Sequence, residues 1–466
     1  MAHVAVIGAG FAGLATGLFL ARRGHTVELI EKDAAAPPDD VEACFADWTR
    51  RGVAQARQPH LLLSRGVRVL QEEAPETLAA FCAAGASLLT NLGQRKQAGD
   101  REAVFFVAAR RLPMEAAMRG ETLGRPSISL TLGEVDALIA RREGGEPPLV
   151  TGVALADGRK VEADLVVDAS GRWSKAPEHL AAIGADPVGE TSQDLQFCYL
   201  SQWRRKRAGA PFPPGFMPLT INSAFAPFIC FPADGGVFSV TMAVSLNDPL
   251  RGKLRRPEVF ERVANAIKGF EPWLDQTDAI TEPQVMARIE NRWRSLAPEG
   301  RAVVRGFALV GDSAIHTNPT FGRGISFACL QARWLAEALE ERDLRSAAFT
   351  REFEAWKVAE LLGWYQAQLV ADGRRLAGIE RALRGQALPE PDDAPSRFVA
   401  ALSLIAPENP QIAAALSRMM HMLTTPQELA RDPVVGPAVA KRLEAGGSLL
   451  PPMAGPSRAE FEALVA

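Results

Sequence analysis

The sequence predicts an α/β fold: a Rossmann-like dinucleotide-binding domain with an inserted antiparallel β-sheet domain and an α-helical C-terminal region. Three observations predict it. A strand, a glycine-rich turn, a helix and a second strand follow one another at the N-terminus, β runs with aromatic residues fill the middle, and helical patterns fill the end. We expect the first domain over residues 1–184, completed by residues 300–345. A β-rich substrate domain would cover residues 185–299, and a helical region residues 346–466.

Length and composition are those of an ordinary globular protein, for which a small-molecule substrate is the default expectation. The 466 residues suffice for two or three domains, and the hydrophobic fraction of 47% and charged fraction of 23% are ordinary. A formal net charge of -3 gives no reason to expect nucleic acid, and no uncharged apolar stretch reaches the roughly 18 residues that span a membrane. The cysteines form no C-x-x-C pair, so we expect no metal site, no disulfide framework and a reducing, cytoplasmic location.

The N-terminal segment is typical of one βαβ unit. Residues 3–7 have the apolar pattern of a short strand, residues 11–23 that of a helix, and residues 26–30 that of the next strand. Between the first strand and the helix lies the sequence GAGFAG, residues 8–13. A G-x-G-x-x-G match is informative when a strand precedes it and a helix follows, as here. The unit therefore predicts a bound dinucleotide.

Each glycine of this turn has a predicted role. Gly8 makes the tight turn, Gly10 lets the backbone approach a pyrophosphate, and Gly13 allows close packing of the helix on the strand. The first residues of the helix, Phe11 and Ala12, would present unpaired N–H groups to the negative charge.

An acidic residue completes the unit. Glu31 stands at the end of the second strand, where its carboxylate would accept hydrogen bonds from a ribose. Lys32 follows it and joins the candidate cofactor-binding residues.

Further patterns mark the connecting segments. Residues 61–84 have helical spacing of apolar positions, and residues 104–107 resemble a strand. Asp157-Gly158 lies between two β runs within residues 151–169 and predicts a hairpin.

The middle of the chain predicts an antiparallel sheet. Residues 225–231 and 237–244 are β runs on either side of a turn. In the second run an apolar face alternates with a face that carries Ser239 and Thr241. That second face would border a pocket, or the sheet would be purely structural.

A second glycine motif lies late in the chain. Residues 307–328 again have the pattern of a strand, a turn and a helix. Asp312 follows Gly311 at the carboxyl end of the strand, where an α/β sheet meets its ligand, and would accept a hydrogen bond from a ribityl hydroxyl. The loop 318–324 leads into a helix whose N-terminal dipole would face a flavin ring. On residue types alone, a plain turn and a plain helix cap are equally good interpretations.

The pairing of GAGFAG with the later GDSAIHTNPTFGRG resembles the FAD-dependent monooxygenases of the para-hydroxybenzoate hydroxylase fold. In that family the first motif holds the ADP half of FAD and the Gly-Asp motif holds the ribityl chain. The segments at residues 52–60, 111–119 and 168–174 are similar as well. Glu290-Asn291-Arg292 and the helices around residues 406–429 resemble the branch that includes the flavin epoxidases of polyether pathways.

The resemblance implies FAD as cofactor, NAD(P)H as transient reductant and molecular oxygen as co-substrate. The reaction would be hydroxylation or epoxidation of a small, secondary-metabolite-like organic molecule. By position, Arg111 would lie near the flavin or its pyrophosphate, and Gln55 and Arg57 near the ribityl chain or the ring; for Arg57 a solvated surface charge is an equal alternative. The other cofactor-binding candidates lie in the later loops: Gly171, Asp312, Pro319, Gly322, Gly324 and Ile325.

The sequence departs from the family in the loop expected nearest the flavin ring. Arg323 and Ile325 stand where that branch carries Gln and Met, and Trp173 replaces the usual Gly after DASGR. If Arg323 points toward the ring it would add positive charge there. The departures bear on the oxygen chemistry more than on FAD binding.

The catalytic assignment stays open at the level of sequence. His316, in the second motif, is a candidate acid or base, although a packing role is the commoner one for a lone histidine. Two other functions fit the same motifs: a flavin-dependent reductase or dehydrogenase of a carbon-carbon double bond, and a cyclase in which FAD is a structural support.

Overall fold

A five-stranded parallel sheet forms the centre of the N-terminal part. The computed structural model describes residues 1–53, 55–90, 105–211 and 219–466. The elements of this part are β1 (His3–Ile7), α1 (Phe11–Arg22), β2 (Thr26–Glu31), α2 (Val41–Asp47), β3 (Pro59–Leu62), α3 (Ser64–Glu73), α4 (Pro75–Ala83), β4 (Ser87–Thr90), β5 (Phe105–Arg110), α5 (Arg111–Leu123), β6 (Ile128–Leu132), β7 (Val135–Arg141), β8 (Leu149–Leu155), β9 (Lys160–Glu162), β10 (Leu165–Asp168) and α6 (Ala176–Ala182).

The strand order of this sheet brings the two glycine motifs together. Its order is β19, β10, β1, β2, β6, where β19 (Phe307–Leu309) comes from far along the chain. All four pairings are parallel, so the carboxyl ends of β1, β10 and β19 meet at one edge. The central strands β1, β10 and β19 are apolar and buried, because α1 packs on the sheet and β8 packs against β10. Helix α9 (Arg323–Ala338) packs in turn on α1.

A mainly antiparallel β region follows. Its elements are β11 (Gly189–Asp194), β12 (Phe197–Lys206), β13 (Leu219–Ser223), β14 (Ala226–Pro232), β15 (Val237–Ser245), α7 (Pro257–Asn265), α8 (Glu271–Leu274), β16 (Thr277–Ala279), β17 (Gln284–Met286) and β18 (Glu290–Ser295). The large sheet has the order β13, β14, β15, β12, β16, with β17 on β12. Alternate residues of β15, namely Phe238, Val240, Met242 and Val244, join one apolar core with α7.

The rest of the chain is helical apart from the short strand β20 (Ile315–His316), which pairs with β18. The helices after α9 are α10 (Ala347–Leu383), α11 (Ala394–Ile405), α12 (Pro410–Met420), α13 (Pro426–Arg431), α14 (Val435–Glu444) and α15 (Arg458–Val465). Helices α11 to α14 share an apolar cluster of their own. Helix α15 is not part of that cluster. Its Phe461 packs beside the large sheet, where the centre of its ring lies 4.9 Å from the centre of the Phe225 ring.

The predicted fold class is confirmed, with local corrections. The segment of helical spacing at 61–84 begins inside a strand, β3, because Leu61 and Leu62 pair with β5 before α3 starts. Short apolar runs do not distinguish the two structures. The hairpin at Asp157-Gly158 joins β8 to β9, whereas the apolar run after β9 becomes β10 of the parallel sheet. Val104, at the start of the expected strand 104–107, lies outside the described residues.

No helix among the described residues has both the length and the apolar character that crossing a membrane demands, the 37-residue α10 included.

Candidate active site

One cavity of about 1610 Å³ runs from the glycine turn after β1, past the loop 318–324, to β14 and the C-terminal helices. Pockets for single small ligands usually measure about 300–1,000 Å³. The cavity therefore has room for a dinucleotide and a second molecule.

The first glycine turn leaves the start of α1 open to the cavity. Gly8 has φ +98°, a conformation that favours glycine, and a Cβ on Gly13 would stand 1.9 Å from the Gly8 carbonyl oxygen. Gly10 is the N-cap of α1 and supplies no side-chain hydrogen bond to the helix. The first N–H groups of α1 are therefore unmatched by a side-chain cap, which suits an anion such as a pyrophosphate.

A buried cluster of charges lies beside this turn. Glu31 accepts hydrogen bonds from the N–H groups of Ala9 (3.0 Å) and Asp33 (2.9 Å) and from Arg50 Nη2 (3.0 Å). Burial acts to raise the pKa of Glu31, but Arg50 and the two N–H donors outweigh it and hold the pKa below its usual value. Glu31 thus stays charged at the edge of the cavity.

Arg50 is a site residue that the sequence analysis missed. Its Nε donates to Glu115 at 2.9 Å, and its side chain is 2% exposed. Its Nη1 is buried without a hydrogen-bond partner in the described part of the chain, although it lies 3.5 Å from an Asp33 oxygen. Arg50 follows a loop and belongs to no motif of fixed spacing. Its contact with the glycine turn at Gly8 is therefore visible only in the folded structure.

Arg111 lines the cavity next to this cluster, at the first position of α5. It donates to the second oxygen of Glu115 at 2.9 Å, and its guanidinium lies 5.2 Å from the centre of the Phe11 ring. One buried carboxylate, Glu115, thus orients two cations toward the start of α1.

The second motif meets the first at the edge of the parallel sheet. Gly311 has φ +63°, and a Cβ there would stand 2.6 Å from the Ala12 Cβ. Asp312 accepts a hydrogen bond from Gln55 Nε2 at 3.3 Å, and one of its oxygens is 3.6 Å from where a Cβ on Gly324 would stand. The structure therefore brings Gln55, Asp312 and Gly324 to one wall of the cavity.

His316 also lines the cavity, on β20. Its Nδ1 lies 2.8 Å from the Glu290 carbonyl oxygen, which fixes Nδ1–H as donor in the neutral ring and leaves Nε2 as an acceptor. Burial lowers the pKa of His316; Asp312 opposes this shift, whereas Arg172 and Arg292 add to it. The ring can accept a proton but is neutral at pH 7.

The loop 318–324 is tied to the long helix α10 through a buried carboxylate. Asp372, which is fully buried, accepts hydrogen bonds from Asn318 Nδ2 (2.7 Å), Asn291 Nδ2 (3.0 Å) and Gln368 Nε2 (2.8 Å). Arg375 Nη1 lies 3.5 Å away. The backbone at Asn318 is thereby fixed where the loop enters the cavity.

Arg323 points to α10. Its Nη1 donates to the Trp364 carbonyl oxygen at 2.7 Å, and the guanidinium lies 4.7 Å from the centre of the Phe321 ring. Burial lowers the pKa of Arg323 to about 10, with Asp372 acting in the opposite direction, so the group is cationic at neutral pH. Arg323 also lines the cavity, so its guanidinium is held at α10 beside the loop.

Most of the predicted site residues line the one cavity. Those that do are Gly8, Gly10, Phe11, Ala12, Glu31, Lys32, Gln55, Arg111, Gly171, Asp312, His316, Pro319, Gly322, Gly324 and Ile325. Gly13 lies beneath the turn. Arg57 is not among the lining residues: its Nη2 donates to the Ala46 carbonyl oxygen at 2.6 Å. Ala54, in the segment 52–60, lies outside the described residues.

The far end of the cavity, which we name the apolar chamber, lies between β14 and the C-terminal helices. Its walls share apolar side chains: Pro227, Ile229 and Phe231 on β14, Ile379 on α10, Val399 on α11 and Met419 on α12. The Ser239 and Thr241 face of β15, expected to border a pocket, does not line it. Thr241 instead bonds Ser201, which donates to Gln58 at 2.8 Å.

Comparison with known proteins agrees with this geometry. A family model described as FAD dependent oxidoreductase matches residues 3–104. Protein Rv3254 of Mycobacterium tuberculosis is 29% identical over 376 residues, which are 73% of this chain and 73% of that protein. The FAD-dependent monooxygenase cfoG of Aspergillus candidus is 30% identical over 189 residues, 38% of each protein.

Solved structures share the fold. The flavin-dependent brominase Bmp2 has a TM-score of 0.59 and 14% identity, over 95% of this chain and all of that one. PqsL of Pseudomonas aeruginosa has a TM-score of 0.54 and 17% identity, over 81% of this chain and 97% of that one. The N-terminal part of the chain, residues 3–104, thus matches FAD-dependent oxidoreductases, the whole chain shares the fold of these solved structures, and the protein is an oxidoreductase.

Proposed function

We propose that the protein is a monooxygenase that uses FAD, NAD(P)H and O₂ to hydroxylate or epoxidise a small organic molecule. The observation that carries the proposal is the single continuous cavity, in which a dinucleotide site opens into the apolar chamber past the loop 318–324. A reacting molecule in that chamber would adjoin the cofactor without crossing solvent.

The residues present fit FAD. The uncapped start of α1 at Gly10 suits its pyrophosphate, and the unpartnered Nη1 of Arg50 is a further donor for that half of the molecule. Glu31 would accept from the ribose, and Asp312 from the ribityl chain. Pro319, Gly322 and Ile325 would then border the ring, at the start of α9.

When bound, FAD supplies the redox chemistry, and the chain supplies orientation, dryness and charge. The start of α9 and the cations Arg323 and Arg375 would favour negative charge in the ring. The apolar chamber would exclude water from the reacting atoms. His316, neutral and with Nε2 free of a partner in the described residues, would accept a proton there.

The names of two similar proteins support this assignment: cfoG is called an FAD-dependent monooxygenase and PqsL a probable one. We further propose that the protein is related to the flavin epoxidases of polyether pathways, because the motif at Glu290–Arg292 and the C-terminal helices resemble that branch. We also propose that residues 1–184 with 300–345 bind the cofactor and that residues 185–299 contribute to binding the substrate.

An oxygen-labelling experiment tests the proposal. Purified, FAD-loaded protein is supplied with NADH or NADPH, ¹⁸O₂ and a panel of aromatic and polyketide molecules, and products are identified by mass spectrometry. We expect consumption of reductant to require oxygen and the product to carry one labelled oxygen atom. Complete conversion under nitrogen would instead identify a reductase, and an isomeric product formed without reductant would identify a cyclase.

A further inference from the structure

We propose that the substrate carries a carboxylate on an apolar skeleton and that Arg375 binds this carboxylate where the loop 318–324 meets the apolar chamber. The inference rests on the proposed function only in taking the chamber as the substrate site.

Arg375 has hydrogen-bond donors to spare. It lies on α10, lines the cavity, and its side chain is 24% exposed. Its Nη1 donates to Thr320 Oγ1 at 2.7 Å and lies 3.5 Å from Asp372. Within the described residues, Nε and Nη2 of Arg375 have no hydrogen-bond partner. A guanidinium has five N–H donors in a planar fork, so most of this fork is available to a ligand.

The three charged side chains nearest the loop, Arg323, Arg375 and Asp372, together carry one net positive charge. Arg323 and Arg375 both flank Asp372, and Arg323 forms no ion pair with any described residue. The carboxylate of Asp372 is already bonded by three side-chain amides. Tyr199, which donates to Asn318, adds no charge: burial raises its pKa from 10 to about 12, further above neutral pH. A half-buried group with excess charge favours a ligand of opposite charge.

The neighbouring Arg374, unlike Arg375, is paired with carboxylates. It also lines the cavity, but it pairs with Asp392 and, at 2.6 Å, with Asp393. The acids around the chamber are engaged too: Glu360 pairs with Arg65 at 3.1 Å, and Glu390 accepts from Ser448. Of these two neighbouring arginines, Arg375 therefore has the greater unmet capacity for an anion.

The shape of the donor group favours a carboxylate over other anions. Two parallel N–H groups of a guanidinium match the two oxygens of a carboxylate, and such bidentate pairs are the stronger charge-assisted hydrogen bonds. Apolar side chains such as Ile229, Phe231 and Met419 line much of the chamber, so most of the rest of the ligand would be hydrocarbon or aromatic. Phe321, whose ring centre is 5.8 Å from the Arg375 guanidinium, would pack against that part.

Binding of matched acids and amides tests the inference without any turnover. Benzoate, 2-naphthoate and decanoate, each with its primary amide, are titrated into the oxidised, FAD-loaded protein and followed by calorimetry and by the flavin absorbance. In the wild type we expect at least one acid to bind about tenfold or more tightly than its amide. The change Arg375→Gln should abolish this preference, Arg375→Lys should keep part of it, and Arg374→Gln should leave it intact.

Equal binding of every acid and its amide, or no binding of any acid at millimolar concentration, would overturn the inference. A preference that survives Arg375→Gln, or disappears equally in Arg374→Gln, would do so as well. FAD content and unfolding midpoint of each variant are measured in parallel, so that a misfolded variant is recognised. Because no reductant or oxygen is consumed, failure here leaves the monooxygenase proposal standing, and failure of oxygen incorporation leaves this one standing.

Discussion

Asn318 and Asp372 join the loop over the cavity to the C-terminal half of the molecule through a 2.7 Å hydrogen bond from Nδ2 to Oδ1. Asn318 opens the loop 318–324, which borders the cofactor end of the cavity. Asp372 belongs to α10, whose Arg375 and Ile379 border the apolar chamber. The two halves of the site therefore depend on one buried carboxylate.

We expect Asp372→Asn to destabilise the protein and weaken its retention of FAD. An amide keeps the shape but replaces one acceptor oxygen by a donor that would face the amides of Asn291 and Gln368. A buried donor or acceptor that is left without a hydrogen-bond partner costs about 1–3 kcal/mol of folding stability. Urea unfolding and the FAD retained after dilution measure both effects. Asp392→Asn, at an exposed carboxylate on the same cavity rim, is the control; equal losses in the two variants would contradict the assignment.

We expect Gly13→Ala to abolish FAD binding or folding, because the added Cβ would stand 1.9 Å from a backbone oxygen that cannot move alone. Gly120→Ala is the matched change in a helix, since nothing lies within 4 Å of the new Cβ. It should be neutral or stabilise by about 0.5–1 kcal/mol. Flavin absorbance of the purified variants and their thermal unfolding decide the matter. A yellow, stable Gly13→Ala protein would refute the packing role.

The sequence was sufficient for those features that depend on neighbours along the chain. The unit from His3 to Glu31 is local, and its glycine spacing predicted both the turn and the buried strands around it. Asp157-Gly158 likewise predicted its hairpin, because the turn type requires those residues. The strand β3 was missed because three consecutive leucines fit a strand or a helix, and only pairing with β5 decides between them.

The parts of the site that the sequence did not predict depend on long-range contacts. Arg50 bonds Glu31 and Glu115, and the spacing of these residues in the sequence does not predict either contact. The same is true of the bonds from Asn291 and Asn318 to Asp372. The direction of Arg323 was open for the same reason: its partner, the Trp364 carbonyl oxygen, is set by how α10 crosses the loop.

We expect Asp312→Ala to lose FAD more readily than Asp157→Ala. Asp312 lies on the cavity wall beside Gln55, whereas Asp157 is half-exposed in a hairpin and pairs with Arg159. Loss of a hydrogen bond to a bound ligand should cost about 1–3 kcal/mol. Equilibrium dialysis of FAD against each variant gives the two affinities. Equal affinities would show that the ribityl site lies elsewhere.

We expect Arg323→Gln to keep FAD but to release more hydrogen peroxide for each NAD(P)H oxidised, if the monooxygenase proposal holds. The shorter, neutral side chain loses the bond to the Trp364 carbonyl oxygen, whereas the bond from Asn318 to Asp372 stays. The loop would then be less firmly placed and the site less dry. Product and peroxide are measured against reductant consumed. An unchanged ratio would show that the anchor has no part in coupling.

Finally, we expect acid to destabilise the protein partly through His421. Its Nδ1 accepts from the Ser64 N–H at 3.2 Å, its ring stacks 5.5 Å from that of Phe106, and burial lowers its pKa from 6.5 to about 4. The unfolded chain therefore binds a proton at a higher pH than the folded one does. The contribution of His421 to the free energy of unfolding is therefore fully present above pH 6.5, and it falls by roughly 1.4 kcal/mol for each pH unit between 6.5 and 4.

The change His421→Gln tests this contribution. The glutamine side-chain oxygen can still accept from Ser64 but does not titrate, and the other histidines are unchanged. Urea unfolding with excess FAD at pH 7.5, 6 and 5 should thus give a shallower slope for the variant; parallel slopes would exclude His421 as a source of the acid sensitivity.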